Sequence, residues 1–317
     1  MSNSILFWIL FNLLVLSIMM IDLKVIHRHV HVVSMKEASL WFGFLVVLAL
    51  IFDAGIYFFL GHEKALQFLT GYVIEQSLSI DNLFVFLMIF DYFSVPAIYQ
   101  PRVLHWGILG ALVMRFIMIF AGTALLHKFH WMIYLFGGIL IFTGIKTAFS
   151  EDKKIEPEKN PLLKFFKKIM PIASREFIDQ KFFIKLNGIL HATPLFVVLL
   201  LIESSDVVFA IDSIPAVLAV SRDPFIVYTS NVFAILGLRT LYFLLSGIMP
   251  LFTYLKFGIS IVLFYVGVKM ILVDIYKIPT GLSLGVVAGI LSLSIVASYL
   301  FKGKAQIPQE PTSRKYE

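Results

Sequence analysis

The sequence predicts an all-α membrane protein, about nine transmembrane helices built around an inverted 3+3 helix repeat. Three observations predict it. The 317 residues are 59% hydrophobic, with a mean hydropathy of +0.91 and only 15% charged, against ~25% in an average soluble domain. Nine apolar segments are long enough to cross ~30 Å of hydrocarbon at ~1.5 Å per residue. Finally, a charged triplet recurs in order: Asp81, Arg115 and Lys146 are 34 and 31 residues apart, and Asp206, Arg239 and Lys269 are 33 and 30 apart.

The apolar segments are approximately 5–21, 40–60, 66–90, 103–126, 131–149, 194–219, 224–246, 251–273 and 279–301. The first lacks both a basic leader and a small-residue cleavage site, so it reads as a retained span rather than a signal peptide. The local contexts of the two triplets also agree: Gly110-Ala-Leu-Val-Met-Arg115 resembles Ala234-Ile-Leu-Gly-Leu-Arg239, and Gly144-Ile-Lys146 resembles Gly267-Val-Lys269. Residues 66–149 and 189–273 are therefore the two three-helix repeats, with 1–65 as two flanking helices and 274–301 as a last helix. An odd number of spans per copy turns the second copy over, the arrangement by which transporters place a site at the midplane.

Lysine and arginine set the orientation. With the N-terminus outside, the inner side carries Lys24, Arg28 and Lys36, then Arg102, nine in the 150–188 loop and four in the tail, against Lys64, Lys128, Arg222 and Lys277 outside. The positive-inside rule makes this an N-out, C-in membrane protein. Within 150–188, Leu162, Leu163, Phe166, Ile169 and Met170 alternate with Lys164, Lys167 and Lys168, as in an amphipathic helix resting on the inner leaflet. Residues 302–317 read as a disordered cytoplasmic tail, and His27, His29 and His31 as part of a solvated loop. Lys146 and Lys269, near span ends, are expected to snorkel to the interface. The 32 phenylalanines read as lipid-facing bulk.

Composition also excludes. Without cysteine there is no disulfide, thiol redox chemistry or thiolate metal site. The net charge of +6 is spread over loops and is no nucleic-acid footprint. No nucleophile–base pair or cofactor motif stands out, so the chain reads as a non-enzyme with no permanent cofactor.

What remains is acid in the wrong place. Glu75-Gln-Ser-Leu-Ser-Ile-Asp81-Asn82 and Glu203-Ser-Ser-Asp206-Val-Val-Phe-Ala-Ile-Asp212-Ser-Ile-Pro215 lie inside apolar spans. A carboxylate at a bilayer centre costs ~2.5–3.5 kcal/mol, so Glu75, Asp81, Glu203, Asp206 and Asp212 together cost roughly 10–15 kcal/mol if additive. A cation moving through the membrane is the simplest offset. If the helices are regular, Asp81 and Asp206 share a depth near the midplane, and Glu75 and Asp212 lie ~9 Å further out. Glu203 sits one turn inward of Asp206 on nearly the same face. Such a ladder could pass a cation outward. Arg115 and Arg239 are charge partners that would replace the cation's charge when the site empties. Pro215 removes the hydrogen bond to the Ile211 carbonyl and is expected to open the backbone beside Asp212. Ser77, Ser79, Ser204, Ser205 and Ser213 read first as close-packing residues.

Every candidate ligand is oxygen, which suits Mg²⁺, Ca²⁺ or Mn²⁺. Carboxylates without metal hold protons that a metal displaces, the physical basis of metal–proton antiport. Both acidic motifs, together with Asp223-Pro-Phe-Ile-Val-Tyr-Thr-Ser-Asn231-Val-Phe-Ala-Ile-Leu-Gly-Leu-Arg239, resemble the signature of the TerC family over about residues 35–300. The branch it most resembles consists of bacterial inner-membrane proteins labelled redox modulators or tellurium-resistance proteins. The resemblance implies manganese efflux, with Glu75, Asp81, Asp206 and Asp212 at the acidic motif positions. Asn82 and Glu203 are secondary candidates, and Asp53 lies outside the motifs. The expected partners are a divalent metal ion, protons and the lipid bilayer. The rival reading is a membrane scaffold or assembly factor whose acids hold a structural cation.

Overall fold

A computed structural model describes residues 2–21, 34–149, 163–166, 170–172, 181–186, 188–248, 254–276 and 278–300, with the side chains of Asp81 and Asp212 outside that description. The readings on His27, His29 and His31, on most of the 150–188 loop and on the 302–317 tail lie outside the described residues. Nine long helices account for most of what is described. They are α1 (Ser2–Ile21), α2 (Met35–Leu60), α3 (His62–Tyr92), α4 (Gln100–Lys128), α5 (Met132–Phe149), α6 (Pro194–Leu218), α7 (Pro224–Ile248), α8 (Leu255–Ile271) and α9 (Thr280–Leu300). The last eight are each long and apolar enough to cross a membrane, while α1 carries a shorter apolar stretch, Ile5–Ile21.

Local chemistry fixes the helix ends. Ser34 caps α2 by accepting from the Glu37 amide at 3.3 Å. Gly61, at φ +96°, separates α2 from α3 in a backbone conformation that other residues resist. Thr193 caps α6 and Pro194 occupies its first turn, where the missing N–H costs nothing. Asp223 caps α7, its Oδ1 accepting from the Phe225 amide at 3.0 Å. Asp223 also holds Lys64 at 2.6 Å, tying the start of α3 to the α6–α7 turn.

The helix α7 is the hub. Some 94% of its apolar window is enclosed by other helices, with α2, α3 and α4 packed on it, α6 packed on α3 and α4, and α9 on α3 and α8. The core divides into two apolar clusters stacked along the bundle. One holds Phe68, Ile74, Ile119, Ile214 and Val232, towards the end where Gly61 lies. The other holds Leu83, Phe86, Val198, Leu201 and Leu238, towards the opposite end. Along α3 the switch falls between Leu78 and Leu83, and along α6 between Ile202 and Ala210. The polar motifs occupy that gap. Phenylalanine is not only lipid-facing: Phe11, Phe68 and Phe233 are buried and meet Phe52 at tilted angles, seating α1 and α2 against α3 and α7.

A second seam joins α5 to α8. A Cβ on Gly267 would stand 2.8 Å from the Gly137 carbonyl oxygen, and one on Gly144 2.8 Å from that of Ser260. The two backbones touch because only hydrogen intervenes. Lipid provides no hydrophobic drive for helix association, so such close van der Waals contact is what binds helices.

Three expectations change. Pro215 lies within α6 without ending it; the helix runs to Leu218, and the Ala219 amide donates to the Pro215 carbonyl at 2.9 Å. Lys269 does not simply snorkel: it is half-buried and lines a cavity. The segment before α6, read largely as loop, forms a hairpin, β1 (Phe183–Leu186) antiparallel to β2 (Ile189–Ala192), turning at Gly188 with φ +81°. It packs through Phe183 on Phe196, with Phe182 and Phe166 on the same ring. Four-residue strands leave too little pattern for sequence to reveal. Of the amphipathic segment, residues 163–166 are helical and Leu163 is buried in the second cluster.

The α5–α8 seam predicts that Gly267→Val, which must push backbone aside, destabilises the protein by about 1–3 kcal/mol. Gly138→Ala on the same α5, where an added Cβ meets nothing within 4 Å, leaves the melting temperature of the detergent-solubilised protein unchanged or slightly raised. Thermal unfolding of the two variants checks this.

Candidate functional site

Four helices, α3, α4, α6 and α7, bring polar side chains together where the two apolar clusters part. Arg115 of α4 is only 1% exposed, and its Nη1 donates both to Glu75 Oε1 of α3 and, at 2.6 Å, to Asn231 Oδ1 of α7. Glu75 and Asn231 are fully buried. Asp206 of α6 is 5% exposed, and Asn82 of α3 turns its Nδ2 towards Asp206 Oδ1 at 3.5 Å, a long and therefore weak contact. Asp206 lies within electrostatic reach of both Arg115 and Glu75. Arg239, also buried, comes from α7.

Glu203 is half-buried, one turn before Asp206. Its carboxylate rests on Gly110 of α4, so close that a Cβ at 110 would overlap the carboxylate carbon and both oxygens. The glycine is there to admit an acid between two helices.

The serines separate into two kinds. Ser77, Ser204 and Ser205 donate back to carbonyls of their own helices, at Val73 and Leu201, which suits the packing role. Ser79 and Ser213 are buried with hydroxyl oxygens that have no hydrogen-bond partner among the described residues. Ser79 and Asn82 follow Glu75 by four and seven residues, and Ser213 follows Asp206 by seven, which puts each set on one helix face. Glu75 Oε2, Arg115 Nε and Asn231 Nδ2 are likewise buried and unpartnered among the described residues. Two oxygen-bearing stripes on α3 and α6 thus lie buried between the apolar clusters, the setting in which unmet polar groups cost most.

Of the residues singled out from sequence, Glu75, Asn82, Asp206 and Arg115 are therefore neighbours, with Glu203 against α4. Asp81 and Asp212 lie within α3 and α6, their side chains outside the description. Among the described residues no three acidic or histidine side chains converge on one point. Sequence reading gave Asn231 no role, although an amide eight residues before Arg239 in a sealed helix was a usable signal. It also passed over Gln76, whose amide oxygen and nitrogen are buried without partners among the described residues and whose Nε2 lies 3.6 Å from a Cβ built on Gly237. Asp53, half-buried on α2, has an Oδ1 without a partner among the described residues.

At the Gly61 end the helix termini leave a cavity of about 870 Å³, lined among others by Glu63, Gln67, Arg222, Lys269 and Asp274. Asp274 accepts from Tyr134 at 2.7 Å and pairs with His130 at 2.8 Å, linking the start of α5 to the end of α8.

A bundle of eight membrane-length apolar helices with arginine, glutamate and aspartate sealed inside defines a multi-pass integral membrane protein. The TerC integral-membrane family profile matches residues 60–306, and the chain belongs to that family. An uncharacterized membrane protein of Myxococcus xanthus, STKORF319, is 51% identical over 92% of each chain. Proteins named membrane-bound redox modulator Alx are 47% identical in Salmonella typhi and 46% in Escherichia coli K12, each over 92% of this chain and 93% of the relative. No solved structure matches the chain.

The contact between Glu203 and Gly110 predicts that Gly110→Ala displaces a flexible carboxylate rather than backbone. Its stability cost should stay below about 1 kcal/mol, against the larger cost of Gly267→Val. Thermal unfolding of Gly110→Ala checks this.

Proposed function

We propose that this protein exports a hard divalent cation, Mn²⁺ foremost, across the bacterial inner membrane, with protons moving inward in exchange. The observation that carries the reading is Asp206, a carboxylate 5% exposed in the gap between two apolar clusters and contacted by Asn82 only at 3.5 Å. A carboxylate so placed, with Glu75 in reach and unpartnered oxygens on Ser79 and Ser213, suits a cation that prefers oxygen ligands. Asp206 and Glu75 are the ligands most directly supported, with Asp81 and Asp212 assigned by their motif positions and Asn82 and Glu203 as accessories.

Helix pairing supports the inverted repeat. If α3, α4 and α5 correspond to α6, α7 and α8, a two-fold axis turns the α3–α7 contact into the α6–α4 contact and maps α3–α6, α4–α7 and α5–α8 onto themselves. Those are among the principal contacts of the bundle, with α2–α7 beside them. In the N-out orientation the 870 Å³ cavity opens outward and is the exit. The redox label carried by the relatives fits the same reading: in a chain without cysteine, moving a redox-active metal changes redox state without a thiol.

The test is Mn²⁺ uptake into inverted vesicles carrying the purified protein, with Ca²⁺ as comparison and a pH gradient on or off. Saturable uptake that grows when the lumen is acidic is expected. Asp206→Asn should insert normally and lose that uptake. Wild-type flux in this variant, or no metal movement under any gradient, would overturn the assignment.

A further inference from the structure

We propose, resting on the exporter reading, that Arg115 is a resident counter-cation which the transported ion must displace, and that Asn231 is the neutral oxygen ligand released with Glu75 when it does.

The geometry of the contact carries the argument. A single guanidinium nitrogen, Nη1, bridges a carboxylate from α3 and an amide oxygen from α7. A buried Arg–carboxylate pair kept for structure alone gains most from its bidentate fork and from satisfying every remaining polar atom. This one does neither. Arg115 Nε, Glu75 Oε2 and Asn231 Nδ2 are all buried and unpartnered among the described residues. The Nη1 bridge holds the pair, while these three atoms are left without partners among the described residues.

Its acceptors are also the right ones for a metal. Glu75 supplies a carboxylate and Asn231 a carbonyl-type oxygen facing positive charge, and the unpartnered Ser79 hydroxyl stands one turn along α3. Asp206 is within electrostatic reach. These are hard oxygen donors of the kind that Mn²⁺ or Ca²⁺ collects. Arginine and the ion compete for the same oxygens, so the two cannot be bound together. Arginine also suits the task better than lysine. Its charge persists at any accessible pH, so returning to Glu75 neutralises that carboxylate without a proton and leaves proton exchange to the other acids of the site, and its length allows it to swing while staying tethered to α4. The consequence is a carrier whose carboxylate is never left unpaired in the membrane, in either half of the cycle.

The experiment is Mn²⁺ binding to the purified full-length protein by equilibrium titration, read beside Mn²⁺-dependent thermal stabilisation. Removing the competing charge in Arg115→Gln should tighten Mn²⁺ binding by about tenfold or more, and Mn²⁺ should then stabilise the variant more than it stabilises wild type. Vesicle uptake should nevertheless slow, because release is no longer assisted. Asn231→Ala should weaken binding by about tenfold as one ligand is lost. A guanidinium that serves structure alone predicts the opposite for Arg115→Gln: lower stability with unchanged or weaker binding, and that result overturns the proposal. Should Arg115→Gln fail to fold, Arg115→Lys decides. A lysine that no longer bridges both acceptors should bind Mn²⁺ more tightly than wild type, and equal or weaker binding overturns the idea. Wild-type protein that transports Mn²⁺ alongside an untightened Arg115→Gln rejects the displacement alone. Wild-type protein that neither binds nor moves Mn²⁺ rejects the exporter reading, and this inference with it.

Discussion

Everything in this bundle is arranged around one constraint, that charge placed in a dry interior must be met by charge. Arg115 meets Glu75, and through Asn231 it engages α7 as well, so one side chain joins three helices at the level of the acidic motifs. The two apolar clusters on either side exclude the water that would otherwise weaken the contact. In such surroundings an ion pair is not free stability, because desolvation offsets much of the attraction. That a bundle of apolar helices retains it argues for a use beyond holding the fold.

Holding the fold falls to other residues. Membrane helices associate through close packing rather than through release of water. The α5–α8 seam, where Gly267 and Gly144 bring backbone against backbone, supplies that contact at a distance from the polar gap. Gly110 plays a different part, making room for the Glu203 carboxylate rather than for another backbone. Glycine therefore marks two separate jobs, one rigid and one able to yield. The backbone contacts of the seam therefore do not depend on the side chains around Asp206.

Much of this was legible in the sequence, and for clear reasons. Span length and hydropathy are set by bilayer thickness, so the eight long helices were written plainly. Carboxylates in apolar spans are so costly that Glu75 and Asp206 announced themselves. What escaped lacked an energetic signature of that size. Asn231 is neutral and carries no charge to set it apart from the other polar residues of α7, so its contact with Arg115 is what gives it a role. The hairpin at Phe183–Ala192 is too short for periodicity to register. Pro215 was expected to open α6, yet one lost hydrogen bond near a helix end does not outweigh the packing of the residues around it. Lys269 looked like a surface anchor because sequence shows that a lysine is near a helix end and not that a cavity lies beside it.

The enclosure of α7 has a bearing on how the chain is made. This helix carries Thr229, Ser230, Asn231, Arg239 and Thr240, all buried against protein. A segment with that load is poorly suited to partition into lipid by itself, since each polar group would face hydrocarbon until a neighbour covered it. It is also late in chain order, after α2, α3 and α4 have been synthesised. Those helices form the walls that α7 requires, so the order of elements along the chain doubles as an order of assembly. The ribosome delivers the least lipid-tolerant helix only once its socket can exist, and a circular permutation that brought α7 first would present the insertion machinery with a segment that has nowhere to go.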